Sequence, residues 1–548
     1  MPTLKASRLG IAKIKQARNE KGWGWSIDED DTCLVEASKV LEPNKNWFLD
    51  GSYAEGISGG TWKRFLAGKQ PISAAAFKAY CQVLGLKWEE VVERRSLTPT
   101  KTCQDWGEAI DISTFYGRTT ELIQLEQWIV VESCHLVALL GMGGIGKTAL
   151  SAKLAEQIQQ SFEYLIWRSL RNAPPIQDIL ADWLKFLANG QKTDVPTTVD
   201  GRISRLIEYL QVHRCFLILD DWETVMRSGE LAGQYREGYE DYGKLIRRVG
   251  QERHQSCLLL ISREKPIEIS SLAGATLPVR ELKLKGLQLE DAKKLLETKG
   301  FSNLKRGSEE LIQLYRGNPL ALKIIATTIQ EIFNGDIYEL LEQSTLVIGD
   351  ILLSLLNQHF ERLSTLEMGI VYWFALENQP ISLLQLKADM QFSVSSLSKL
   401  VAALESLKRR SLLEKASNRE GNEAIFTLQP VVMKYVINQL IEQVCKDIMT
   451  TVATQSVSKL GLLRTHALVK EQTTKEVKQI QVRLILTRIV DKLYLTLTEA
   501  NPLEEQLNQV LSMLQRHSPQ AVGYAQTNIL NLLEVIGGER KKGGEIGR

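Results

Sequence analysis

Residues 141–148 read GMGGIGKT, a complete G-x-x-x-x-G-K-[ST] pattern. Its flanks matter as much as the pattern. Residues 135–140 (HLVALL) form a short apolar run suited to a buried strand, and residues 149–159 are rich in helix formers. A strand that runs through a glycine-rich turn into a helix N-terminus builds an anion site from backbone N–H groups and the helix dipole. Gly141, Gly143, Gly144 and Gly146, with Met142 and Ile145 between them, let the backbone wrap closely around phosphate. Lys147 is placed to reach the β- and γ-phosphates, and the Thr148 hydroxyl to hold Mg²⁺. A chance glycine-rich turn would not carry the strand, the helix and the Lys-Thr pair together.

A loop of this kind works with a second strand that ends in an acid. Residues 214–221 (RCFLILDD) supply one, with carboxylates at the carboxyl end of the strand, where open α/β sheets place their ligands. Asp220 is expected to hold Mg²⁺, directly or through water, and Asp221 to orient or deprotonate an attacking water. The plainer alternative is an Asp pair capping a turn into Trp222. A third apolar run, 257–261, ends at Ser262-Arg263, and an arginine there can sense a γ-phosphate. Taken alone, Arg263 reads equally well as a surface arginine in a salt bridge. The Asn-Lys-x-Asp element of guanine-specific proteins and the LSGGQ transporter signature are both absent, which favours adenine by elimination.

The 548 residues suggest several domains. A hydrophobic content of 44%, a charged content of 24% and a net charge of +2 are ordinary for a soluble globular protein and advertise no nucleic-acid field. The seven cysteines form no C-x-x-C pair, and Cys215 and Cys257 lie inside apolar runs, so they read as core residues in a reducing compartment. No apolar stretch approaches the ~20 residues that span a bilayer. The expected location is the cytoplasm, without membrane contact.

The fold class expected is α/β: a P-loop NTPase parallel sheet followed by a helical lid and a winged helix, flanked by all-α N- and C-terminal regions. The boundaries are a helical module at 1–95, a linker at 96–112, the nucleotide-binding domain at 113–275, the lid at 276–345, the winged helix at 346–440, a helical arm at 441–536 and a disordered tail at 537–548. In the first module, residues 61–66 and a stretch capped by Ser73 form two short helices across a Gly/Pro turn, a helix-turn-helix pattern. Its second helix offers mainly Ala74, Ala75, Ala76 and Lys78, a poor base-reading surface. Lys63, Arg64 and Lys69 suit phosphate contacts and a solvated face equally, so protein docking is favoured over DNA binding.

These elements, in this order, resemble the NB-ARC class of STAND signalling ATPases. The matches are Phe115-Tyr116-Gly117-Arg118, GMGGIGKT, FEYLIWRSL (162–170), LILDDW (217–222), LLLISRE (258–264), LKGLQLEDAKKLL (284–296) and Arg316-Gly317-Asn318-Pro319-Leu320-Ala321. The resemblance covers roughly residues 113–440. It implies that Arg118 and Pro319 lie near the nucleotide, with Pro319 packing by the adenine. Without it, Gly317-Asn318-Pro319 reads as a plain helix boundary.

Beyond the lid, residues 380–390 read as a helix, and Leu397, Leu400, Val401, Leu404 and Leu407 stripe a second one. Strand-like segments at 411–415 and 424–428 then flank a polar turn, and Pro430 suits the first turn of another helix. Lys408-Arg409-Arg410 reads as a solvated charge run. In the resembling family a Met-His-Asp element closes the winged helix over ADP; the matching place here is Leu428-Gln429-Pro430. Gln429 donates a hydrogen bond but carries no charge, so the resemblance implies a weaker hold on ADP. The arm at 441–536 reads as packed amphipathic helices. In similar bacterial proteins such an arm precedes a repeat sensor, and the expectation is a switch lacking its own sensor array.

The function expected is an ADP/ATP-binding signalling switch, a slow ATPase with Mg²⁺ that changes conformation or oligomerises on nucleotide exchange and works through protein partners. Two rivals stand beside it: a nucleotide-regulated DNA-binding regulator and a scaffold that binds nucleotide without hydrolysing it.

Overall fold

The computed structural model describes residues 3–6, 8–21, 27–43, 45–47, 53–68, 70–92, 102–112, 114–189, 195–301, 307–342, 349–390, 396–416, 423–470, 473–496 and 502–545. The chain divides into two compact units, Met1–Lys101 and Thr102–Arg548.

The first unit is helical, with Arg8–Glu20, Ile27–Leu41, Gly59–Ala67, Ala74–Val83 and Trp88–Val91 around a core of Trp62, Phe65, Phe77 and Tyr80. Gly59–Ala67 starts on a Ser58 capping box and ends at Gly68 in the left-handed region. Ser73 caps Ala74–Val83 through the Ala76 N–H, as expected from sequence. That second helix exposes Ala75, Lys78 and Gln82, and Lys78 sits over the Trp88 ring. Lys69 lies outside the described residues.

The second unit is built on six parallel strands: β1 (Cys103–Asp105), β2 (Leu136–Leu140), β3 (Tyr164–Ser169), β4 (Cys215–Asp220), β5 (Cys257–Ser262) and β6 (Val279–Lys283). Their order is β1-β3-β4-β5-β2-β6. Every residue of β2, β4 and β5 is buried. Continuous apolar strands of this kind need cover on both faces. The period of two sorts them: Ala138, Leu217, Leu219 and Leu260 pack with Trp183, Leu206 and Leu245 on one face. On the other, Val137, Leu139, Ile218 and Ile261 pack with Leu125, Leu150 and Leu154.

Two domain boundaries shift. The stretch read as a linker at 96–112 supplies the edge strand β1, paired to β3, and Ile112 is buried. Three residues at a sheet edge carry no apolar run, so the sequence gives no strand signal there. The sheet also extends past 275, because β6 pairs with β2; the lid therefore begins after Lys283.

The lid comprises Leu289–Glu297, Ser308–Leu314, Pro319–Ile332 and Ile337–Glu342. The winged helix follows: Asp350–Phe360, Thr365–Glu377, Leu383–Asp389 and Leu397–Arg409, then an antiparallel hairpin of Leu413–Ala416 with Ile425–Leu428. The stretch at 380–390 is not all helix, since Ile381–Ser382 pairs with the hairpin before Ser382 caps Leu383–Asp389. The hairpin's turn at 417–422 lies outside the described residues. Pro430 opens the long helix Pro430–Thr454 at its first turn. The last helix, Ala525–Glu545, runs through part of the stretch expected to be disordered. All seven cysteines are free, and all but Cys103 are buried. Among the described residues, no helix is long and apolar enough to cross a membrane.

Buried histidines are expected to make this fold acid-sensitive. The His466 ring packs against Trp373, with Nε2 2.9 Å from the Gly369 carbonyl oxygen and Nδ1 2.8 Å from Thr465 Oγ1. Burial pushes its pKa from 6.5 to about 4. The folded chain therefore binds fewer protons than the unfolded chain between these values. The stabilisation is complete above the unfolded value and is lost as pH falls toward the folded one, about 2 kcal/mol by pH 5. His466→Gln is expected to shrink the stability difference between pH 7 and pH 5 by about that amount. Denaturant midpoints at the two pH values measure it, and an unchanged difference would count against this assignment.

Candidate functional site

The carboxyl ends of β2, β5 and β4 form one crest, and the sequence motifs sit on it. A cleft of about 210 Å³ there is lined by Ile110, Gly143, Gly144, Gly146, Lys147, Thr148, Ala149, Asp220, Asp221, Glu223 and Arg263. The loop after β2 leads into the helix Lys147–Ile158, with Gly146 in the left-handed region at its N-cap. Gly144 is left-handed too (φ +73°), and a Cβ there would lie 2.8 Å from Leu320 Cβ, so glycine is required twice over.

Lys147 folds back across the loop, and its Nζ donates to the Gly141 (2.8 Å) and Met142 (3.1 Å) carbonyls. Burial pushes its pKa down to about 8, aided by Arg263 and opposed by Glu223, Asp220 and Asp221. An ammonium this desolvated gains most from an arriving anion. Asp220 is 6% exposed, and burial with the Asp221 charge beside it raises its pKa to about 6, while the Thr148 hydroxyl and the Asp221 N–H stabilise its ionised form. A hydroxyl hydrogen-bonded to a buried carboxylate, beside an ammonium and a helix N-terminus, fits a nucleotide phosphate with Mg²⁺. Asp221 turns the chain in the left-handed region (φ 56°), which Asp tolerates. Its Oδ2 accepts from Ser169 Oγ at 3.2 Å and lies 3.4 Å from Arg171 Nε.

Arg118 and Pro319 stand against the loop without lining the cleft. Arg118 donates to the Ile145 carbonyl at 3.0 Å and pairs with Glu121 at 3.0 Å. A Cβ on Gly146 would lie 3.9 Å from Pro319 Cγ. The closer lid contact is Asn318, whose Nδ2 donates to the Gly143 carbonyl at 3.1 Å. Its Oδ1 caps the helix Pro319–Ile332 through the Leu320 and Ala321 N–H groups.

Gln429 is not brought to this cleft. It stands at the N-cap of Pro430–Thr454, and its amide donates to Glu414 Oε1 at 3.0 Å across the wing.

Two residues that matter were missed or misread in sequence. Glu223, beyond the acid pair, is buried in the cleft; its Oε2 accepts from Ser262 Oγ (3.1 Å) and the Arg263 N–H (3.0 Å), and its Oε1 pairs with Arg263 Nε at 3.1 Å. Arg410, read as part of a solvated run, is 1% exposed. It donates to Glu264 Oε2 (2.8 Å), Glu367 Oε1 (3.1 Å) and the Glu230 carbonyl (2.6 Å). Arg362 also pairs with Glu264, at 3.0 Å. The reversal has a clear cause: two buried carboxylates need a cation, and Arg410 is the member of the run that reaches them.

Fold and cleft together define a P-loop NTPase. Within that class, residues 118–305 match the NB-ARC domain, and the chain carries that domain. The chain is 43% identical to an uncharacterized WD repeat-containing protein of Nostoc sp., over 97% of this chain and 45% of that protein. The chain thus spans less than half the length of this relative. It is also 32% identical, over 16% of this chain and 10% of that protein, to the disease resistance protein RPM1 of Arabidopsis thaliana. Among solved structures, a STAND protein with a tetratricopeptide repeat sensor from Pyrococcus horikoshii aligns at 17% identity and a TM-score of 0.32, over 78% of this chain and 59% of that one.

Proposed function

We propose that this protein is an ADP/ATP-dependent signalling switch with slow hydrolysis, in which nucleotide exchange releases the winged helix and exposes surfaces for self-assembly and partner proteins. One observation carries the reading. Consecutive residues after β5 face two ways: Arg263 lines the phosphate cleft, and Glu264 holds the winged helix through Arg410 and Arg362. A displacement of Arg263 by phosphate is therefore transmitted to the winged-helix contact by one peptide bond.

Within this reading each cleft residue has a task. Lys147 and the N–H groups at the start of its helix bind the β- and γ-phosphates. Thr148 and Asp220 hold Mg²⁺, which when bound neutralises phosphate charge. Asp221 accepts a proton from the attacking water, and Arg263 meets charge that develops on the γ-phosphate. Catalysis of this kind is mostly electrostatic positioning. Adenine is favoured by the missing guanine element, and Asn318, Pro319 and Arg118 brace the loop.

Single-turnover hydrolysis of ATP bound to the full chain tests the enzymatic half. Slow turnover that falls about 10²-fold in Asp221→Ala is the expected result. No turnover in the unaltered protein would leave a nucleotide-binding scaffold.

A further inference from the structure

The cleft holds three carboxylates, and two have evident tasks. Asp220 bonds the Thr148 hydroxyl and the Asp221 N–H, and Asp221 faces Ser169 and Arg171. Glu223 is the third. It sits on the short turn Trp222–Val225 that follows β4, and it spans to the end of the neighbouring strand β5.

Its carboxylate is anchored independently of any arginine side chain, because Ser262 Oγ and the Arg263 N–H both donate to Oε2. The second oxygen, Oε1, then takes Arg263 Nε at 3.1 Å. A guanidinium held by a fixed acceptor at Nε keeps its Nη groups for another planar or tetrahedral acceptor. The guanidinium lies against the loop: a Cβ on Gly143 would be 3.6 Å from Cζ and Nη1 of Arg263 and 3.7 Å from Nε. Unpaired, an arginine with a quarter of its side chain exposed would sample several rotamers and lose entropy on each encounter with phosphate.

We propose that Glu223 is the positioning residue for Arg263: it fixes the guanidinium over the phosphate loop so that the site distinguishes a nucleoside triphosphate from a diphosphate. This rests on the nucleotide-switch reading above and adds the residue that sets its selectivity. Glu223 does not touch the phosphates itself. Its charge also acts on Lys147, which serves diphosphate and triphosphate alike, so only the part that runs through Arg263 separates the two nucleotides.

The test uses the full chain with Mg²⁺, ADP and a non-hydrolysable ATP analogue, and reads the ratio of the two affinities. Glu223→Gln keeps an oxygen for Ser262 and the Arg263 N–H but loses the ion pair. The expected result is about a tenfold loss of preference for the analogue over ADP; the lost charge beside Lys147 shifts both affinities together and cancels in the ratio. Arg263→Ala should lose at least as much preference, and the double variant should match Arg263→Ala alone, since one residue acts through the other. A salt bridge that merely ties β4 to β5 would weaken both nucleotides equally. Equal weakening, an unchanged or increased preference for the analogue in Glu223→Gln, or additive losses in the double variant would each overturn the proposal while leaving the switch reading intact. Failure of the unaltered protein to bind either nucleotide would overturn both.

Discussion

Arg410→Ala is expected to release the winged helix from the nucleotide-binding sheet. Arg410, Glu264 and Glu367 are all at most 2% exposed, and the arginine bridges the two carboxylates. Its third donor reaches the Glu230 carbonyl, and Ser406 Oγ completes the junction by accepting from the Ala232 N–H at 2.6 Å. Removing the cation leaves Glu264 with Arg362 and the Gly233 N–H, and Glu367 with the Ser364 and Ser406 hydroxyls and the Ser364 N–H, none of them a replacement for the lost bridging charge. Breaking a buried pair in this way costs about 3–5 kcal/mol, whereas replacing the whole cluster by neutral groups of like volume is close to neutral. If the loss falls on the closed arrangement, the closed-to-open ratio drops by about 10²–10⁴. Amide hydrogen exchange at 228–233 and 403–410 should accelerate by a similar factor, and bound ADP should leave faster. Gln429→Ala should do far less, because the Gln429 side chain bonds, among the described residues, to Glu414 within the wing itself. Unchanged exchange at both segments in Arg410→Ala would show that the cluster does not hold the domain.

The second large effect belongs to Lys147. Among the described residues its ammonium bonds only to the Gly141 and Met142 carbonyls of its own loop, so Lys147→Ala removes the cleft's most buried cation with little effect on the sheet beneath. Loss of one charged donor in a desolvated site costs about 3 kcal/mol, a ~10²-fold weaker affinity. Titration with fluorescent ADP should show that loss alongside an unaltered melting temperature without nucleotide. Retained affinity would place the nucleotide elsewhere.

What the sequence made legible follows from how each feature is built. The strands β2, β4 and β5 are buried on both faces, so they read as apolar runs, and a phosphate loop between such a strand and a helix is a local pattern. Asp220, Asp221 and Arg263 stand at the ends of such strands, which makes them candidates from sequence; the structure brings them to one cleft with Lys147 and Thr148. Long-range pairing left no local signal. Arg410 meets Glu264 across 146 residues and Glu367 across 43, and no charge run tells which member turns inward. Glu223 meets Arg263 across 40 residues, hidden in WETV behind a more conspicuous acid pair. The edge strand β1 is too short to read. Gln429 was given a phosphate contact by resemblance alone, and its amide instead closes onto the wing through Glu414.

In this switch the terminal phosphate of a bound nucleotide decides whether the winged helix stays on the sheet. Native mass spectrometry with ion mobility, on the full chain with Mg²⁺ and either ADP or a non-hydrolysable ATP analogue, tests it most directly. The expected result is a compact monomer with ADP and an expanded or assembled species with the analogue. The same mass and the same collision cross-section with both nucleotides bound would contradict it.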